Sequence, residues 1–150
     1  MTPAVEAAKR AGIEFRLHDY EGVEVGDGDY AVAVAAAVGR PAEQLFKTLV
    51  ASVDGTLSVF VLPADRQLDL RAAGKRTTLA DKAQAERATG YVVGGISPLG
   101  QRRRLPTTVD AAALDWPTVL VSAGRRGLQI ELAPADLVAL TGATVKPVAR

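Results

Sequence analysis

The residues of this chain that could do chemistry are a lysine in an apolar segment, a glycine loop that runs into arginines, and a few hydroxyls. Lys47 lies in L-F-K-T-L, and a strand would put it on one face with Leu45, Leu49, Ala51 and Val53. An ammonium in such a row is costly unless it reaches a partner or a ligand. The other reading is a lysine near the strand start that snorkels to water. Residues 91–106 read Y-V-V-G-G-I-S-P-L-G-Q-R-R-R-L-P. Gly94, Gly95 and Gly100 permit close approach of another molecule, and Pro98 holds Ser97 extended. With Ile96 and Leu99 they make a stiff loop at a strand end, whose bare amides beside positive charge suit an anionic or ester-bearing ligand. The bland alternative is a surface turn with a solubilising arginine cluster. Thr48, Ser97 and Ser122 add hydroxyls. This kit can bind an ester carbonyl and stabilise developing negative charge. It contains no activated nucleophile, so water or the substrate itself must supply one.

Composition narrows the chemistry further. The chain has no cysteine and a single histidine, His18, which removes disulfides, thiolate metal sites and a cysteine nucleophile. A serine triad would have to pass through His18, and a zinc site would have one imidazole and no thiolate. No phosphate-binding loop or nucleophile elbow is present, and the carboxylates form no spaced pair. We therefore expect neither metal nor cofactor. The formal charge is +1, so any nucleic-acid contact must come from local patches such as Lys75 with Arg76, Arg102 with Arg103 and Arg104, or Arg125 with Arg126. No apolar run approaches the roughly 20 residues that span a bilayer, and the start lacks a signal-peptide core. A soluble, cytoplasmic protein is expected, with residues 1–150 forming one domain.

The elements that must hold these residues follow from local pattern. Thr2 and Pro3 open a helix that Gly12 ends. Residues 13–18 alternate apolar and polar, a half-buried strand with His18 on the solvated face. Residues 23–29 are glycine-rich and acidic, a loop. Residues 30–38 form a helix, apolar nearly all round and so expected to be well buried, closed by Gly39. Strands 45–53 and 56–62 flank Asp54-Gly55, the strongest hairpin signal in the chain. A short helix over 68–74 with Asp69 as cap, a brief strand over 75–80 and a helix over 81–89 ended by Gly90 follow. Then come a strand over 105–109, a helical turn over 111–114, a core tryptophan at Trp116, a hairpin of strands 118–122 and 128–132, and a helix over 134–140 closed by Gly142. Strands outnumber helices and arrive partly as hairpins. The fold class is mixed α+β with a largely antiparallel, barrel-like sheet.

Read together, these stretches resemble the bacterial YbaK-type Cys-tRNA(Pro) deacylases, a group related to the editing insertion domain of prolyl-tRNA synthetase. The resemblance is carried, in order, by M-T-P-A-V, by His18 and Tyr20 as H-x-Y, by L-F-K-T-L, and by Q-L-D-L from Gln67. T-G-Y-V-V-G-G-I-S-P-L-G-Q at 89–101, R-L-P-T from Arg104, and V-S-A-G-R-R-G-L-Q-I-E-L at 121–132 complete it. It implies an enzyme that removes wrongly attached cysteine from the terminal adenosine of tRNA(Pro), with Lys47 the residue most tied to activity. It also implies that Tyr20 and Tyr30 line the pocket, that the loop from Gly94 to Gly100 offers amides to the ester, and that the substrate's thiol attacks. Such chemistry would spare prolyl-tRNA, which has no thiol, where a pocket alone separates similar side chains by only about 1–3 kcal/mol. Acceptor-stem contact by Arg102, Arg103 and Arg104, and by Arg125 and Arg126, and partnership with prolyl-tRNA synthetase belong to the same expectation. The chain departs from the pattern at Gln129, where relatives often carry aspartate, at Ala123 in place of a glycine, and in a shortened segment after Leu70. Hydrolysis of another small aminoacyl group such as alanine, or non-catalytic binding of tRNA or a synthetase, remains open at this point.

Overall fold

The computed structural model describes residues 1–22 and 30–150; the expected loop at 23–29 lies outside them. Helix α1 (Pro3–Ala11) begins at Thr2, whose hydroxyl accepts from the Val5 amide, and ends at Gly12 in the left-handed region. Strand β1 (Phe15–Asp19) follows, then α2 (Tyr30–Val38) and a 3₁₀ turn at Ala42–Gln44. Asp54 (φ 50°) and Gly55 (φ 84°) close the hairpin of β2 (Phe46–Val53) and β3 (Thr56–Pro63), both with the positive φ a type I′ turn demands. The chain continues through α3 (Leu70–Ala73), β4 (Thr77–Leu79), α4 (Lys82–Thr89) and β5 (Thr107–Asp110), then β6 (Val119–Ser122), β7 (Leu128–Leu132), α5 (Pro134–Thr141) and β8 (Thr144–Lys146). Asp81 and Gln84 form a reciprocal capping box at the start of α4. β8 was not legible as a strand, being three residues long and at a sheet edge.

The strands make two open sheets rather than one closed barrel. The first has the order β1-β7-β6, all antiparallel. The second has the order β4-β2-β3-β5-β8, antiparallel among β4, β2 and β3 and parallel from β3 to β5 to β8. An isolated bridge from Leu45 to Leu120 links the two sheets. Alternation along β2 decides where the cores lie. Phe46 and Val50 join Val59, Val61, Val121 and Ile130 in the main core, while Ala51, with Leu49 and Val53 packed beside it, meets Phe60, Leu62 and Val148 in a second one. A third cluster lies under α2, where Val34 and Ala35 meet Tyr20, Leu45 and Leu120. Among the described residues no helix is long and apolar enough to cross a membrane.

Three local expectations change. α2 is not buried all round: Ala31, Val34 and Ala35 face inward, but Val32 is 55% exposed, because the helix lies on one face of one sheet. Residues 91–93 form no strand. Gly90 turns the chain at the end of α4, and the Tyr91 hydroxyl donates to the Leu99 carbonyl (2.6 Å), closing the loop on itself. His18 is not a solvated residue; its ring lies against Glu131, 2.8 Å away. Trp116 is partly buried against the main core.

Candidate functional site

A cavity of about 620 Å³ opens between β2, α2, the loop after α4 and the β6–β7 hairpin. Of the residues singled out from sequence, it is lined by Lys47, Thr48, Tyr30, Gly94, Ile96, Ser122, Arg126 and Gln129. The strand-borne ammonium and the glycine loop therefore face one hollow, although they are nearly fifty residues apart in the chain.

Lys47 is half-buried, and burial pushes its ammonium below the usual lysine range, with the Asp65 carboxylate pulling the other way. Among the described residues it has no ion-pair partner, so its charge is free for a ligand. Thr48, the next residue, faces the main core side of β2. Its Oγ1 is buried and has no hydrogen-bond partner, alone in this among the side-chain atoms of the described residues. Such a hydroxyl is costly to leave unmade, and here it borders the cavity. Tyr20 does not line the cavity itself. It is buried behind it, accepting from Gln129 Nε2 (3.4 Å) and pairing with the Tyr30 hydroxyl (3.2 Å). Half of Tyr30's surface meets solvent, yet its hydroxyl turns inward, and desolvation with the Tyr20 contact pushes its pKa up to about 12.

The glycine loop divides into a part that faces the cavity and a part that anchors it. Gly94 (φ 98°) lies under the Arg126 guanidinium, which a Cβ would strike, and Gly95 is packed so that a Cβ would fall 2.7 Å from Arg125 Cα. Ser97, Pro98 and Leu99 are buried away from the cavity. The Ser97 hydroxyl accepts from the Leu99 amide (3.2 Å), its carbonyl accepts from Gln101 Nε2 (3.0 Å), and Leu99 joins the main core. Gly100 is pressed against the Pro3 carbonyl. Val93, Gly94 and Ile96 of the loop reach the lining, because the serine, proline and leucine are consumed in fixing the loop's shape.

The arginines also part company. Arg126 lines the cavity, whereas Arg125 pairs with Asp19 (3.1 Å) and Glu21 (3.3 Å) at the surface. Arg102, Arg103 and Arg104 are exposed and line none of the cavities described; Arg102 lies over Gly90 and Arg104 beside Gly142.

Sequence reasoning did not find the group that fastens α2 beside the cavity. Glu131 is buried, and its carboxylate accepts from Thr118 Oγ1 (2.6 Å), Arg40 Nη2 (3.0 Å) and Nε (3.2 Å), with His18 Nε2 at 2.8 Å. Burial works to raise its pKa, but the bonds from Thr118, Arg40 and His18 outweigh it and hold the carboxyl at about 2. Arg40 follows the glycine that ends α2, so this cluster pins one end of the helix while the Tyr20–Tyr30 contact holds the other. The signal available was a glutamate two residues after Gln129 in the short strand L-Q-I-E-L. Lys82 and Leu79 were missed as lining residues, since capping and strand patterns say nothing about which cavity a side chain meets. Among the described residues no group of three acidic or histidine side chains could hold a metal.

Residues 26–140 match the aminoacyl-tRNA editing domain, and this chain belongs to that family. Among its relatives is a provisionally named Cys-tRNA(Pro)/Cys-tRNA(Cys) deacylase, EbsC of Enterococcus faecalis. It is 36% identical over 146 residues, covering 93% of this chain and 88% of that protein. A solved structure provisionally described as a trans-editing enzyme for prolyl-tRNA synthetase has a TM-score of 0.82 at 26% identity, covering 98% of this chain and 92% of its own. A second, the hypothetical protein APE2540, has a TM-score of 0.85 at 28% identity and 99% coverage of each chain.

Proposed function

We propose that this protein, acting as a single domain, is an aminoacyl-tRNA deacylase that removes mischarged cysteine from tRNA(Pro) in trans. The observation that carries the reading is the convergence of unpaired Lys47 with Gly94 and Ile96 on one cavity. Membership of the editing-domain family and the name of the Enterococcus relative support the substrate class. A tRNA substrate sets the reaction in the cytoplasm, and partnership with prolyl-tRNA synthetase fits the description of the solved relative.

In this reading the cysteinyl ester enters the cavity with its carbonyl toward Lys47, whose positive charge stabilises the oxygen as it becomes an anion. The substrate's sulfur attacks its own carbonyl carbon. A carbon–sulfur bond forms, the bond to the ribose oxygen breaks, and that oxygen takes up a proton equivalent to the one the thiol lost. Water then opens the released cyclic thioester to free cysteine. The protein contributes position and charge, and the discrimination against proline lies in the substrate's chemistry. Wild type and Lys47→Ala, assayed against a panel of Cys-, Ala-, Ser- and Pro-charged tRNA(Pro), test this. We expect turnover of the cysteinyl ester alone, and loss of about 10²–10³-fold in the variant, the scale of removing one charge-stabilising donor. Turnover of the alanyl ester would assign water as nucleophile and a different substrate. Salt-sensitive tRNA binding with no ester loss would make the protein a binding module.

A further inference from the structure

A second hollow of about 600 Å³ adjoins the first. Lys47, Leu49 and Leu79 line both, so the two are lobes of one cleft that meet at the lysine. Their chemistry differs. The far lobe adds two guanidinium groups, Arg71 and Arg150, and an exposed leucine, Leu70. The Gln67 side-chain oxygen accepts from Arg150 Nη2 (3.0 Å) and so holds that guanidinium at the lobe. Its one side-chain carboxylate, Asp69, is occupied as the cap of α3, accepting from the amides of Arg71 (3.1 Å) and Ala72 (3.2 Å). Leu70 is 46% exposed and Leu79 is 58% exposed, an unusual outlay of apolar surface beside two cations.

We infer that this far lobe is a nucleotide subsite, taking the nucleotide that precedes the esterified terminal adenosine. The inference rests on the reading of the first lobe as the site of an aminoacyl-tRNA ester. A single-stranded acceptor end carries a phosphate at each step and a flat apolar base between steps. Proteins hold single strands with cations that track the backbone and with side chains, commonly aromatic, laid against the base faces; here leucines supply that flat apolar surface. Arg71 and Arg150 meet the phosphates, and Leu70 and Leu79 meet the base. The strand then leaves the ester past Lys47 and over α3, without using residues 102–104.

The test compares two esters of cysteine, one on full tRNA(Pro) and one on adenosine alone, which cannot reach the far lobe. For the double variant Arg71→Ala, Arg150→Ala, the ratio of kcat/KM on tRNA to kcat/KM on adenosine falls about tenfold, the order of two exposed charge–phosphate contacts. The salt dependence of KM on tRNA flattens with it, and Arg71→Glu deepens the loss. A merely structural role lowers both esters together and leaves the ratio in place, which overturns the subsite while the deacylase reading stands. If wild type cleaves neither ester, the deacylase reading fails and the subsite is read by binding. Titration of ¹⁵N-labelled protein with the trinucleotide CCA then shifts the amides of Leu70, Arg71 and Leu79 if the subsite exists. Shifts elsewhere only, or none, overturn it.

Discussion

Replacing Glu131 with glutamine removes the charge on which three side chains from three parts of the chain converge. In the wild type, the carboxyl is held at about 2, against an ordinary 4.5. At about 1.4 kcal/mol for each pH unit, that difference is about 3 kcal/mol of stability at neutral pH. Arg40 keeps 28% of its side chain in water, so screening brings the expected loss nearer to about 2 kcal/mol. Because the folded value is depressed, this stability is complete above the unfolded value near 4.5 and is lost as the pH falls through the folded value near 2. Urea unfolding, followed by the fluorescence of the single tryptophan, Trp116, measures it. Glu131→Gln should unfold about 2 kcal/mol more easily at neutral pH, and the two proteins should converge as the medium is acidified below about pH 4.5. Its α2 is fastened at only one end, so KM for the ester should rise more than kcat falls. A stability difference that stays constant across the acid range, or no difference at all, would refute the idea that an ionised Glu131 anchors the helix.

The remaining predictions concern the cavity and its loop. Lys47→Ala should lose activity as given above while its melting temperature stays within a few degrees of wild type, since a half-buried cation without a partner contributes little to folding; calorimetry beside the deacylation assay checks this. Thr48→Val removes a buried hydroxyl that has no partner and should raise stability by up to about 1 kcal/mol, measured by thermal melting, while ester hydrolysis slows. Gly95→Ala puts a methyl group 2.7 Å from the Arg125 backbone. It should cost about 1–3 kcal/mol and part the loop from the β6–β7 turn, seen as a lower urea midpoint and faster amide exchange at residues 92–96.

Helix caps and hairpin turns were settled by the sequence itself, because each depends on a few neighbouring residues. Thr2 with Pro3, the Asp69 cap and Asp54-Gly55 demand their conformations locally, and the alternation along β2 announced that Lys47 shares a face with Leu49. The family, too, was legible from ordered motifs. Which residues share the cavity was decided only by the tertiary structure. Whether Gly94 or Ser97 faces a ligand depends on Arg125 and Arg126, some thirty residues away, and on Leu99 being drawn into the core. His18 read as solvated because its own strand alternates, yet it is bound by Glu131 on the neighbouring strand, which Arg40 beyond α2 also holds. The closing of two open sheets around separate cores, and the meeting of two lobes at Lys47, likewise arise from contacts between distant segments, which no local pattern encodes.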